Sequence, residues 1–182
     1  IIIAEDVIVV GDETFEIEHY INMGTHKRVF KLKDSESVIK IVRDDGHNIH
    51  NVFKSMLQNI RRQHVLDEHG IPHMKMLGHD EDGPPYRYLI QEKIPEGSVS
   101  GADLIRNREL TEKDVTQMAN MVNSFELGRT WQLDTNPHNW YRVTNGDGAT
   151  EMTYVGGTIY SYDEQWTFKR IGLLQWTDPQ YI

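Results

Sequence analysis

Four side chains stand at positions where their types and spacing suit one kind of chemistry. Lys40 lies in the β-branched run Val38-Ile39-Lys40-Ile41. Asp134 and Asn139 bracket the segment Asp134-Thr135-Asn136-Pro137-His138-Asn139, which follows a helical stretch and precedes a strand. Asp163 ends the apolar run Thr158-Ile159-Tyr160-Ser161-Tyr162. Phosphoryl transfer asks for little covalent help from a protein; it asks for positioning and for cancellation of charge. That requirement predicts a lysine for phosphate oxygens, two oxygen ligands for magnesium and a carboxylate near the acceptor hydroxyl. The chain supplies each of them.

Each feature taken alone has a plainer explanation. Lys40 alone reads more readily as an exposed strand lysine, and Asp163 equally as a turn aspartate that stops a strand. Asn136-Pro137 also serves as a turn. The argument therefore rests on order and context, which the surrounding elements decide.

The first forty-odd residues read as an antiparallel meander. Val7-Ile8-Val9-Val10 is a short β-branched strand closed by Gly11-Asp12, and Phe15–Ile21 alternates apolar and polar. Arg28–Lys33 and Val38–Val42 follow around the turn Asp34-Ser35-Glu36-Ser37. Alternation puts Lys40 on the face opposite Ile39 and Ile41. A helix is expected next, because Ile49, Val52, Phe53, Met56, Leu57 and Ile60 recur at helical spacing until Gly70 and Pro72 stop it. Met74–Gly78 and Tyr86–Gln91 read as two further strands around an Asp/Gly/Pro-rich turn. Ile94-Pro95-Glu96-Gly97-Ser98 reads as a linker, giving an expected division into 1–93 and 94–182. Beyond it come a short helix over about 101–106 and a longer one capped by Thr111, with Val115, Met118, Val122 and Phe125 as its buried stripe and Gly128 as its stop. Trp140–Val143 and Thr158–Tyr162 are expected to pair as a hairpin, with Asn145-Gly146-Asp147-Gly148 as the turn chemistry between them.

In that order the segments resemble the protein-kinase-like superfamily. Val38-Ile39-Lys40-Ile41 is similar to the VAIK strand, and Ile21–Phe30 to the glycine-rich loop and its following valine, here Val29. Only Gly24 remains of the usual glycines, and a simple hairpin turn explains it equally well. Leu89-Ile90-Gln91-Glu92-Lys93-Ile94 looks like the inter-lobe hinge, or else an ordinary connector. The resemblance implies that Glu92 and Ile94 pair with adenine through their backbones and that Gln91 is the gatekeeper. It further implies that Asp134 orients the acceptor hydroxyl and takes its proton, while Asn139 and Asp163 hold magnesium. The fold it implies is α+β: a minimal bilobal protein-kinase-like fold with a β-rich lobe carrying one helix and a truncated helical lobe. Brevity narrows the resemblance to the minimal kinases of the HopBF family of bacterial type III effectors. That family enters the eukaryotic host cytoplasm and phosphorylates the host heat-shock chaperone.

The departures are specific. Trp131-Gln132-Leu133 replaces His-Arg before Asp134, Asn136 stands where a lysine is usual, and Glu164-Gln165 replaces Phe-Gly after Asp163. The expected helix offers no glutamate for Lys40, which leaves Gln58 as the candidate partner and Gln63 as the second. A neutral amide can accept from the ammonium but supplies no opposite charge. The resemblance thus implies an ATP- and magnesium-dependent serine/threonine protein kinase and, in its narrower form, a secreted effector acting on a host protein. The competing expectations are a small-molecule phosphotransferase of the aminoglycoside type and a pseudokinase serving as a binding module.

Bulk properties exclude other classes. A net charge of −9 argues against a broad nucleic-acid footprint. The absence of cysteine removes disulfides, thiolate metal sites and cysteine nucleophiles together. The histidines show no zinc spacing, and no apolar run is long enough to cross a bilayer. Ile1-Ile2-Ile3 leads directly into Ala4-Glu5-Asp6 without an initiator Met or a signal-peptide pattern, which is expected of a trimmed start.

Overall fold

Alternating β-branched residues separated by short turns build a seven-stranded antiparallel sheet. Its strands are β1 (Ile2–Ile3), β2 (Val7–Val10), β3 (Glu13–Met23), β4 (Lys27–Leu32), β5 (Ser37–Val42), β6 (Met76–His79) and β7 (Tyr88–Glu92), in the order β1-β2-β3-β4-β5-β7-β6. The computed structural model describes residues 1–24, 26–45, 49–126, 131–155, 159–161 and 176. The chain divides into two compact units, one of 1–63 with 75–93 and one of 64–74 with 94–182.

In the first unit the turn residues carry the strain that tight connections need. Gly11 and Asp34 take φ values of 60° and 52° between β2 and β3 and between β4 and β5. Ile8, Val10, Ile17, Phe30, Ile39, Ile41 and Tyr88 form the apolar cluster on one face of the sheet. A second cluster joins Val42 of β5 and Leu89 of β7 to Val52, Met56 and Ile60 of α1 (Ile49–Glu68), so the helix covers the other face. Burying this stripe, rather than helix propensity, is what holds such a helix in place. The expected Ile49/Val52/Met56/Ile60 periodicity is present, except that Ile49 itself is exposed. Gly70, at φ 63°, ends the helix by donating its N–H to Asp67 O at 3.1 Å. The turn between β6 and β7 is closed by Asp80, 1% exposed, whose carboxylate accepts from Arg87 Nε at 2.6 Å.

The second unit contains β8 (Val99–Ser100), α2 (Gly101–Arg106), α3 (Glu112–Glu126), β9 (Trp131–Leu133), a 3-10 turn (Pro137–Asn139), β10 (Trp140–Thr144), β11 (Thr150–Tyr154) and β12 (Ile159–Ser161). Its core collects Leu66, Ile71, Ile105, Met118, Val122, Leu133, Trp140, Met152, Tyr154 and Trp176. Thr111 does cap α3: its Oγ1 accepts from Asp114 N at 3.2 Å while Asp114 Oδ2 accepts from Thr111 N at 3.0 Å, a reciprocal capping box.

Two expectations are corrected here. Val115 is exposed, and the buried position beside it is Asp114, 1% exposed and bound to Arg142 of β10 at 2.6 Å. An apolar count misses this because a paired carboxylate occupies the inward position. The hairpin partner of β10 is β11, with Trp140 opposite Tyr154 and Thr144 opposite Thr150. The strand over Ile159–Ser161 pairs instead with β9, Leu133 lying opposite Ile159. Asn145 to Ala149 is a short turn, and a short turn selects the next segment of chain, however polar Thr150-Glu151 are. Phe125's side chain and Gly128 lie outside the described residues. Among the described residues no helix is long and apolar enough to cross a membrane.

Candidate active site

Strand register places Lys40 within the first unit. β4 and β5 pair with Val29 opposite Lys40, and β5 and β7 pair with Leu89 opposite Lys40 and Gln91 opposite Val38. Cross-strand partners share a face, so Val29, Val38, Lys40, Leu89 and Gln91 line the same side of the sheet. Three of these five were expected to bind nucleotide: Val29, Lys40 and Gln91. Gln91 is buried at 4% exposure; Val29 and Lys40 are half-buried. Among the described residues the Lys40 ammonium has no hydrogen bond and no ion pair. Burial alone pushes it down to about 8, since a low-dielectric setting disfavours the charged form.

Neighbouring positions behave differently. Gly24 donates its N–H to Lys27 O at 2.8 Å and accepts from Arg43 Nη1 at 3.0 Å, so it closes the β3–β4 hairpin turn with its own N–H engaged. A Cβ there would meet nothing nearer than 3.8 Å, so the turn has no steric need of glycine. Glu92 ends β7, with its side chain accepting from Lys75 N at 3.1 Å, and Ile94 begins the remainder of the second unit. On α1 the inward stripe runs through Val52, Met56, Ile60 and Gln63, the last 2% exposed with an Oε1 that accepts no hydrogen bond. Gln58 sits roughly 140° round the helix from that stripe at 100° per residue. Among the described residues no hydrogen bond joins Lys40 to either amide; of the two, only the second candidate, Gln63, lies on the inward stripe.

The Asp134–Asn139 segment lies within the second unit. Asp134 follows β9 directly, and its carboxylate organises the turn behind it: Oδ1 accepts from Asn136 N at 2.9 Å and Oδ2 from Asn139 Nδ2 at 2.8 Å. Asn136 caps the 3-10 turn by accepting from His138 N at 3.0 Å. The backbone beneath is held by large aromatic side chains. Trp140 Nε1 donates to Asp134 O at 2.9 Å, Tyr154 Oη accepts from Asp134 N at 3.2 Å, and Trp176 Nε1 donates to Thr135 O at 2.6 Å. Gly101 completes the floor, because a Cβ there would stand 2.8 Å from Pro137 O and 2.6 Å from the Trp176 ring. Asp134 and Asn139 are thus brought together on a rigid base.

The amide of Asn139 has a defined direction. Its nitrogen is engaged by Asp134, which leaves Oδ1 as a hard oxygen donor of the kind magnesium prefers. Asp163 lies outside the described residues. The position after the true hairpin strand is Val155, whose N–H donates to Asn139 O at 2.7 Å and which brings no ligand. Among the described residues no group of three or more His, Asp or Glu is arranged to hold a metal ion.

Two features of these segments escaped the sequence reading. Trp176 lies in a terminal stretch with no periodic pattern, and nothing local marks it as a support for the loop. Lys27 was taken as part of a loop. Stepping back by two from Val29 along β4 puts it on the same face as Lys40, a signal that alternation alone contains.

No protein-family model matches the sequence, and no curated protein matches it. Solved structures do. The chain is similar to WbdD, with a TM-score of 0.60 and 15% identity over 94% of this chain and 39% of that one. A second WbdD structure, described as a bifunctional kinase-methyltransferase, matches with a TM-score of 0.54 and 17% identity over 93% and 39%. The kinase domain of PknI from M. tuberculosis matches with a TM-score of 0.51 and 13% identity over 85% and 61%. The chain therefore spans between about two fifths and three fifths of the length of these structures. At such identities the likeness speaks for the fold, and the chain has a protein-kinase-like α+β fold.

Proposed function

We propose that the chain is an ATP- and magnesium-dependent phosphotransferase of the protein-kinase type, acting on a serine or threonine hydroxyl. The observation that carries this reading is the Asp134–Asn139 pair at 2.8 Å on its aromatic floor. The unpartnered Lys40 on a sheet face with Val29 and Gln91 supports it, as does the kinase-like fold. In this reading residues 1–93 serve as the nucleotide-binding lobe and 94–182 as the catalytic lobe. Lys40 holds phosphate oxygens, and backbone groups of Glu92 and Ile94 meet the adenine. Asp134 accepts the proton of the attacking hydroxyl as its oxygen bonds to the γ-phosphorus; the bond from that phosphorus to the β–γ bridging oxygen breaks, and ADP leaves. Asn139 Oδ1 and Asp163 are the residues that would hold magnesium, which supplies charge neutralisation at the β- and γ-phosphates. A secreted effector of the HopBF type, with a host heat-shock chaperone as substrate, is the finer form of this proposal.

A second reading has one observation behind it. Val155 occupies the end of the hairpin strand, beside Asn139, where a metal-binding carboxylate was expected. A nucleotide-binding module without turnover tolerates that change. Magnesium-dependent release of ADP in the presence of eukaryotic lysate separates the two. Release that disappears in Asp163→Ala supports the enzyme; nucleotide binding without release, in wild type as in variant, supports the module.

A further inference from the structure

The face that carries Lys40 carries a second unpartnered ammonium. Lys27 opens β4 immediately after the hairpin turn and lies opposite Val42, while Lys40 lies opposite Val29. The two lysines therefore occupy diagonal positions on one face, with backbones about 7–8 Å apart. Like charges so placed repel each other, and a fold gains nothing by holding them together unless an anion joins them.

The contrast with the other cations of the same strands is direct. Lys31, also on this face and 5% exposed, donates to Glu18 Oε2 at 3.0 Å, to Leu32 O at 2.8 Å and to Ser35 O. Arg28 donates to Asp45 Oδ2 at 2.9 Å. Lys27 and Lys40 are half-buried, and neither has a hydrogen bond or ion pair among the described residues. Val29, Val42 and Leu89 are their nearest register partners, all apolar. α1 covers this face with Val52, Met56 and Ile60, and its buried polar side chain there, Gln63, is neutral.

We propose that Lys27 is a second phosphate-binding cation, and that Lys27 and Lys40 together grip the polyphosphate chain of a nucleoside triphosphate. The assignment rests on the nucleotide reading of Lys40 given above. Each ammonium rides on a flexible four-carbon stem, so two diagonal lysines can converge on neighbouring phosphates. A polyphosphate supplies several negative charges, enough to neutralise both. Burial first, and the charge of Lys40 second, push Lys27 down to about 7.

The test is calorimetric titration of the full chain with magnesium-ATP and, separately, with sodium tripolyphosphate, in wild type, K27M, K27R and K40M. K27M is expected to weaken both ligands about ten- to hundredfold, the range for a lost charge-assisted bond, and K27R to restore most of the affinity. Binding of both ligands to K27M within twofold of wild type would overturn the role of Lys27; if K40M still lost ATP, the nucleotide reading would stand without it. Tripolyphosphate binding that depends on both lysines, with no ATP binding, would keep the lysine pair and sink the nucleotide reading. Wild type that binds neither ligand overturns both. K27M removes a repulsion and breaks no partner, so its thermal midpoint near neutral pH is expected to equal or exceed that of wild type. If K27M does not melt cooperatively, K27Q carries the same comparison with a polar head in place.

Discussion

Asn139 Nδ2 donates to Asp134 Oδ2 at 2.8 Å, which fixes both ends of one loop and turns the remaining amide oxygen away from the carboxylate. Replacing Asn139 by Ala therefore does two things. It frees Asp134 Oδ2, costing about 1 kcal/mol of stability. On the proposed reading it also removes an oxygen ligand of magnesium, so the magnesium concentration for half-maximal activity should rise about tenfold. A magnesium titration of turnover checks this, and an unchanged magnesium dependence would remove Asn139 from the metal site.

Gly101→Ala tests the floor of the loop. The new Cβ would need Pro137 O, 2.8 Å away, or the Trp176 ring, 2.6 Å away, to move. Overpacking of this kind typically costs about 1–3 kcal/mol. Urea denaturation should show that loss, and on the proposed reading turnover should fall further than stability predicts, because Pro137 lies between Asp134 and Asn139.

The Asp114–Arg142 pair supports α3 and β10 together. Burial by itself would raise the Asp114 carboxyl, yet Arg142 and the N–H and hydroxyl of Thr111 hold it below the usual range. Asp114→Ala takes the carboxylate from the partly buried Arg142 guanidinium, leaving it Glu109 O at 2.7 Å, and removes half of the capping box, so a loss of about 3 kcal/mol is expected. Thr111→Ala, which removes only the hydroxyl of the cap, should cost about 1 kcal/mol. Equilibrium unfolding of the two variants checks the ordering.

The two unpartnered lysines make stability depend on pH in a stated direction. Lys27 is lowered to about 7 and Lys40 to about 8, both from 10.5. Between those values and 10.5 the unfolded chain holds protons that the folded one has released, so stability contributed by these groups rises with pH across that window. Below about 7 both are charged in either state and the dependence vanishes. Urea midpoints at pH 7 and pH 9.5 should therefore differ more in wild type than in a Lys27→Met, Lys40→Met double variant. Equal differences would contradict the placement of these ammonium groups.

Much of the first unit was legible because its strands alternate cleanly: Val38–Val42 placed Lys40 opposite Ile39 and Ile41, and β5 has that register. The Asp134 to Asn139 spacing was legible because a capped turn lies between the two residues and brings them within hydrogen-bonding distance. Reading failed where long-range pairing overrode local pattern. Thr150-Glu151-Met152-Thr153-Tyr154 is polar enough to pass for loop, but the short Asn145–Ala149 turn delivers it to β10. Val115 looked like core because its inward neighbour is an aspartate that Arg142, distant in sequence, and the Thr111 cap make tolerable. Gln58 looked like a partner for Lys40 on composition; the helix phase favours Gln63, and Gln58→Ala is expected to leave ATP affinity within twofold of wild type.

Transfer of label from γ-labelled ATP to protein in eukaryotic lysate, with magnesium, tests the central claim most directly when wild type is compared with Asp134→Ala. The account predicts a labelled band with wild type that falls at least about a hundredfold in the variant while ATP binding is retained, the loss expected when a positioned general base is removed. Label transfer undiminished by Asp134→Ala would contradict it.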